Sequence, residues 1–321
     1  MKKEKTKLTA IILIATAIIL TFISGPVFAQ KNDTMSFVHI SDIHLIFDLE
    51  LFQKDLAHDR IHYGNGVKSF KKFLKKVPGE TGSDFVVITG DLIDIYEGEM
   101  AGGGKLDFQA RQFARLTDKC KVPVFLTLGN HDISSYSWND SARVSTQSCA
   151  ERARATWIKS ATCFKEGTYY SRIFEVGGTT YRLVFLNNAY NTFPPELNIK
   201  IPFVDKIQLR WLEDQLQQSE DDVEIILMHL PIKSEAGETE PSCELYSVLA
   251  KNPSVKLIFS GHNHKNAITV FPSIGNNKIT QIQTSGFGQN NMNWRVIRLT
   301  ENNILISLPG SDEKELELIM R

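Results

Sequence analysis

Five apolar runs in this sequence each stop at a short polar motif that offers an imidazole, a carboxylate or an amide. Met35–Ile40 ends in Ser41–Asp42–Ile43–His44, and Phe85–Thr89 ends in Gly90–Asp91. Val124–Leu128 leads into Gly129–Asn130–His131–Asp132, Val223–Met228 into His229, and Leu257–Ser260 into Gly261–His262–Asn263–His264. Short continuous apolar runs bounded by glycine or polar residues read as buried strands. In open α/β sheets, ligands bind in the crevice beyond the carboxyl ends of the strands. Polar groups gathered there are hard to explain by folding stability, because each one buried unpaired costs about 1–3 kcal/mol. They need a shared partner, and a pair of metal ions meets that need.

The local spacings fit such a partner. Asp42 and His44 are two apart, as are His262 and His264. In extended backbone, residues i and i+2 project to the same side, which leaves Ile43 free to face the core. The glycines before Asp91, Asn130 and His262 allow tight turns and close backbone approach. Nitrogen and oxygen donors without thiolate suit Zn, Mn or Fe rather than Ca.

Helical patterns over Gly66–Val77, Phe108–Lys119 and Lys206–Gln218, with another near Cys243–Ala250, alternate with the apolar runs. Tyr169–Val176 and Thr180–Leu186 flank Gly177–Gly178 and read as a hairpin. Ile268–Phe271, Ile279–Gln283, Arg295–Leu299 and Ile304–Leu308 read as closing antiparallel strands. The expected fold is therefore α/β, two sheets packed face to face with helices outside. Long polar stretches over residues 96–106, 133–148, 187–202 and 232–241 read as substrate rims.

D-x-H, G-D, G-N-H-D, a lone H and G-H-x-H all stand here in one order, from Asp42 to His264. In this the chain resembles the calcineurin-like metallophosphoesterase superfamily. The resemblance implies a four-layer α/β/β/α sandwich of two mixed β-sheets. It implies a first metal held by Asp42, His44 and His264, and a second held by Asn130, His229 and His262, with Asp91 bridging both. His131 would be the catalytic imidazole, and Asp132 would hold or orient it. The implied cofactors are two divalent or trivalent transition-metal ions, Mn, Fe or Zn. The implied reaction is attack of a metal-bridging hydroxide on phosphorus in line, with a small-molecule phosphoester as substrate. A phosphodiesterase is the first reading; a phosphomonoesterase and a non-catalytic interaction module on the same scaffold are the alternatives. The fourth motif, Met228–His229–Leu230–Pro231, lacks the histidine pair of many cyclic-nucleotide enzymes, and Tyr96 lies too far past Gly90–Asp91 for the purple acid phosphatase pattern.

The N-terminus is a different kind of segment. Lys2, Lys3, Lys5 and Lys7 precede an uncharged apolar stretch from Leu8 to Ile23, then Gly25–Pro26 and Val27–Phe28–Ala29. That is the layout of a secretory signal peptide over residues 1–29, ahead of a single metallophosphoesterase domain over residues 30–321. The folded part is thus expected outside the cytoplasm, periplasmic or secreted. The alternative is an uncleaved anchor, the one case in which membrane contact is expected. Removing the segment takes four Lys and one Glu and leaves a net charge of −4, so no nucleic-acid polymer is expected as a partner.

Export permits disulfides among Cys120, Cys149, Cys163 and Cys243, and free buried thiols are the other option. His39 reads as a packed, hydrogen-bonded histidine, and His58 and His62 as rim or surface residues. Asp48 and Glu50 read as solvated, and Asp94 as a helix-start or loop carboxylate. Tyr136 and Trp138 read as either stacking platforms or loop anchors, and Phe287 as a rim residue.

Overall fold

In the computed structural model the described residues are 33–59, 66–137, 142–144, 146–189, 202–219, 223–233, 240–311 and 313–320. The expected signal segment, His62, Trp138 and most of the stretch 187–202 lie outside them. The strands are β1 (Thr34–Ile40), β2 (Phe85–Thr89), β3 (Glu97–Glu99), β4 (Lys105–Leu106), β5 (Val124–Thr127), β6 (Ser135–Ser137), β7 (Ala142–Val144) and β8 (Tyr170–Val176). They continue with β9 (Thr179–Phe185), β10 (Val223–Leu227), β11 (Val255–Ser260), β12 (Ala267–Pro272), β13 (Lys278–Gln283), β14 (Trp294–Thr300), β15 (Asn303–Ser307) and β16 (Lys314–Ile319). The α-helices are α1 (Lys54–Asp59), α2 (Gly66–Thr81), α3 (Gln109–Thr117), α4 (Gln147–Ser160), α5 (Lys206–Gln217) and α6 (Glu244–Ala250).

Two mixed sheets of six strands form the body, ordered β16-β15-β14-β1-β2-β5 and β12-β13-β11-β10-β9-β8. In the first sheet β1, β2 and β5 run parallel. In the second sheet β9, β10, β11 and β13 run parallel. Every motif named above therefore leaves the carboxyl end of a parallel strand.

Side-chain alternation assigns the layers. Ile225 and Leu227 of β10, with Leu257 and Phe259 of β11, enter the large core shared with the first sheet. Their neighbours Ile226, Met228 and Ile258 face the opposite way, onto Leu212 and Leu216 of α5 and Leu245 and Leu249 of α6. That is the period of two that a strand buried on both faces requires. Phe70, Phe73, Phe113 and Trp157, from α2, α3 and α4, join the large core from the far side of the first sheet. The result is the expected α/β/β/α sandwich.

Aromatic rings fasten the two sheets. Phe85 of β2 stacks on Phe174 of β8 at 5.1 Å, and Phe37 of β1 meets Phe259 edge-on at 6.0 Å. The stretches expected as bare loops at 96–106 and 133–148 instead build a small sheet, β4-β3-β6-β7. Tyr136 is buried there with Phe52 and Ile95, so it anchors the loop. α2 runs past the expected end at Val77 to Thr81, with Pro78 inside it. Proline has no N–H to give the carbonyl four residues back, and the Cys120 thiol donates to that Leu74 carbonyl instead, at 3.6 Å. All four cysteines are free.

Phe85 touches Phe37, Phe125 and Phe174 from the middle of the sandwich. Phe85→Ala should destabilise the fold by about 3–5 kcal/mol in urea unfolding. A loss below about 1 kcal/mol would show that the inter-sheet stack is not what holds the layers together.

Candidate metal centre

The five motifs meet at one end of the sandwich. Their residues do not continue the strands in extended form, as the spacing suggested. Asp42, His44, Asp91, His262 and His264 all have positive φ, between 47° and 73°. This left-handed backbone costs of order 1–3 kcal/mol for each non-glycine residue and persists only where the surroundings over-determine it. The chain must turn sharply at each strand end to bring its donors inward, and alternating left-handed residues accomplish that. Backbone bonds lock the turns: the Asp42 amide donates to Gly90 O and the His44 amide to Asp91 O. Gly261 has no room for a Cβ, which would collide with the Ser41 hydroxyl and the Asp42 carboxylate.

Three groups of donors result among the described residues, each with its ligand atoms within 4.8 Å of one another; Asp91 belongs to two of them, and His44, Asp94 and His131 form the third. The first joins Asp42, His44, Asp91 and His264. His44 Nε2 lies 3.0 Å from His264 Nε2, and Asp42 Oδ1 lies 3.3 Å from His264 Nε2. The second joins Asp91, His229 and His262. Asn130 Oδ1 sits 3.1 Å from His229 Nε2 and 3.0 Å from His262 Nδ1, which adds it to this group. One oxygen, Asp91 Oδ2, is 3.6 Å from His44 Nε2 and 3.2 Å from His229 Nε2.

Hydrogen bonds on the outer side fix which ring nitrogens face inward. His229 Nδ1 is 2.8 Å from the Thr89 carbonyl, which only accepts, so Nδ1 carries a hydrogen and Nε2 is the nitrogen that faces the centre. His44 Nδ1 faces the Asp94 carboxylate at 3.1 Å, with the same consequence for its Nε2. Both imidazoles thus aim Nε2 at carboxylate and amide oxygens. Acceptors at such distances repel one another unless positive charge lies among them, so this donor set fits metal cations.

The titration behaviour reflects the same negative surroundings. Burial would lower the His229 pKa, but the adjacent Asp91 carboxylate, with Asp42 beyond it, outweighs burial and pushes it up to about 9, so that without metal a proton takes the place of a cation at Nε2. Burial and the nearby His229 bring His262 down to about 4, which leaves it a neutral donor. Although burial opposes it, the surrounding imidazoles of His229, His131 and His44 hold Asp91 well below the ordinary carboxylate range.

His131 stands beside the centre with Nε2 3.9 Å from Asp91 Oδ2. Its Nδ1 lies 2.7 Å from the Asp94 carbonyl and 3.2 Å from Asp94 Oδ1. The expectation that Asp132 orients His131 is corrected here. The Asp132 carboxylate accepts from the amides of Leu92, Ile93 and Gly129, which ties the β2 and β5 loops together. The orienting carboxylate is Asp94, fully buried and shared between His44 and His131. Its signal in the sequence was a second carboxylate three positions after Asp91, in the otherwise apolar run Leu92–Ile93. Asn188 was also not anticipated; its Oδ1 accepts from the amides of His229 and Leu230 and so sets the fourth motif.

His39 is buried between the Thr89 and Thr284 hydroxyls, as expected of a packed histidine. Asp48 and Glu50 are exposed. Phe287 is not a rim residue: its ring packs on Phe70 and Phe73 of α2, while its amide donates to Ser41 O.

The family model described as calcineurin-like phosphoesterase matches residues 35–266. The human serine/threonine-protein phosphatase CPPED1 is 27% identical over 197 residues, 57% of this chain and 54% of that protein. The chain thus spans about half the length of the curated relatives it matches. Among solved structures, GAP50, the anchor in the inner membrane complex of Plasmodium, superposes with a TM-score of 0.50 at 16% identity, covering 89% of this chain and 88% of that one. The purple acid phosphatase PPD1 from yellow lupin reaches a TM-score of 0.48 at 14% identity, over 90% of this chain and 54% of that one.

If the centre is completed by metal, chelation should lower Tm by several degrees, and Mn, Fe or Zn should restore it. Asp91→Asn should abolish that shift, because it weakens both donor groups at once; a wild-type Tm unaffected by chelator would refute the assignment. By its family model and its ordered donor set, this chain belongs to the calcineurin-like phosphoesterases, a family of metal-dependent phosphoester hydrolases.

Proposed function

We propose that the chain is an exported two-metal phosphoester hydrolase acting on a small phosphoester. The observation that carries this reading is Asp91 Oδ2, one oxygen within reach of both donor groups. Asp42, His44, His264 and Asp91 would hold one ion, and Asn130, His229, His262 and Asp91 the other. When bound, such ions supply Lewis-acid charge for phosphoryl oxygens and lower the pKa of water toward neutrality.

The protein's own groups do the rest. His131 is partly exposed and presents Nε2 on the Asp91 side, where it can protonate a leaving oxygen or bind a phosphoryl oxygen as a cation. Asp94 keeps its negative charge despite burial, because His131 and His44 hold its carboxyl well below the usual range. That charge fixes the orientation of the His131 ring through Nδ1. Lys233, held 3.2 Å from Asn263 Oδ1, gives the rim an ammonium beside His262. An anionic substrate is the natural complement to these groups.

The complete donor set argues against a non-catalytic module. A small extracytoplasmic phosphodiester remains the first substrate reading. The monoester reading is favoured by one observation, that the matched human relative is named a protein phosphatase. Export rests on the Lys2–Ala29 segment alone.

The test is hydrolysis of paired generic diester and monoester substrates by protein loaded with Mn, Fe or Zn. Activity on neither, with metal bound, would remove the hydrolase reading. His131→Ala should keep its metal and lose roughly 10²–10⁴-fold in kcat. Asp94→Asn should lose about 10–100-fold in activity or metal affinity, as outer partners of ligating histidines do. Wild-type turnover in either variant would remove the role given to that residue.

A further inference from the structure

A basic face lies on the exposed side of α2. Lys68, Lys71, Lys72, Lys75 and Lys76 are all exposed. Their spacing of i, i+3, i+4, i+7 and i+8 places them on one side of the helix. The opposite side, Phe70, Phe73 and Leu74, is buried in the core. Among the described residues none of these lysines makes an ion pair. Like charges at i, i+4 disfavour a helix, yet Lys68–Lys72, Lys71–Lys75 and Lys72–Lys76 are all such pairs. The chain's formal net charge of −1 therefore averages over an asymmetric surface.

The basic face borders apolar surface. Between α2 and the first sheet opens a cavity of about 630 Å³, lined by Lys72, Lys76 and Arg298 as well as by Phe73, Phe287 and Trp294. Met292 and Leu308 line the same cavity and are 53% and 41% exposed. Cations beside exposed apolar side chains match the boundary of an anionic bilayer, where headgroup phosphate lies over hydrocarbon.

The path of the chain points the same way. Ser36, near the start of β1, donates through its hydroxyl to Gly82 O and through its amide to Asp84, just past the end of α2. Ser36 also pairs across the sheet with Arg298. β1, which begins eleven positions after Ile23, thus starts beside the end of α2 and the cavity.

We propose that the lysine face of α2 and the adjoining cavity mouth dock this protein on an anionic phospholipid surface. The contact is independent of the hydrolase reading and does not require residues 1–29. It would hold the domain against a membrane whether or not residues 1–29 are present.

The buried hydrophobic clusters draw on residues 35–306, so a chain starting at Gln30 keeps all of them. That chain is mixed with vesicles of phosphatidylcholine alone, or of phosphatidylcholine with phosphatidylglycerol, and flotation is measured at low and high salt. It should float only with the phosphatidylglycerol vesicles, and high salt should release it. A juxtamembrane lysine contributes about a fivefold gain in binding, so Lys72→Ala with Lys76→Ala should weaken flotation about thirtyfold. Lys251→Ala with Lys278→Ala, in the half of the sandwich built on the second sheet, removes the same charge and should leave flotation unchanged. Phosphoesterase turnover or, failing that, the unfolding midpoint reports that each variant is folded. No flotation on the anionic vesicles, equal flotation on both kinds, or equal losses in the two double variants would overturn the proposal. Retention on heparin without flotation would also overturn it, in favour of a polymeric anion as partner.

Discussion

The structure turns on the crowding of electron-rich atoms around Asp91. Asp42, Asp91 and Asp94 are carboxylates buried at one end of the sandwich, and His44 and His229 aim Nε2 at Asp91. Buried charge of one sign is costly in a low-dielectric interior. The left-handed backbone at Asp42, His44, Asp91, His262 and His264 adds to that cost. A fold tolerates such a concentration only when its ligand returns the energy. Here the donor chemistry names that ligand as metal cation.

The rest of the architecture serves to build this concentration. Parallel strands in both sheets deliver their carboxyl ends to the same edge, and stacked rings such as Phe85 on Phe174 hold the two edges in register. Side chains that bind no substrate keep the strand ends in place. Asp132 fastens the β2 and β5 loops through three amides, and Asn188 fastens the turn that carries His229. Loss of any one would shift a donor without removing it.

Asp94 touches both the donor set and the proposed proton donor. One carboxylate faces Nδ1 of His44, a donor of the first group, and Nδ1 of His131, the imidazole proposed as catalytic. Moving it would disturb both the electron density offered to the metal and the proton held for the leaving group. Outer partners of ligating histidines commonly matter in this way.

The sequence by itself determined the strand ends, the donors and their order. Apolar runs that stop at Asp, His or Asn leave few other arrangements, and Asp42, His44, Asp91, Asn130, His229, His262 and His264 all meet where those runs end. It also placed the layers, because period-two alternation in β10 and β11 separates the two faces. What it could not fix were relations between residues distant along the chain. Asp132 is adjacent to His131, yet the carboxylate that reaches the ring is Asp94, because a 3₁₀ turn at His131–Ile133 sends neighbouring side chains in different directions. Phe287 looked like a rim aromatic until its loop was seen wedged between the metal centre and α2. Only the tertiary structure set the lysine face beside an apolar cavity and the start of β1, since hydrogen bonds and packing across sheets obey distance in space and not separation in sequence.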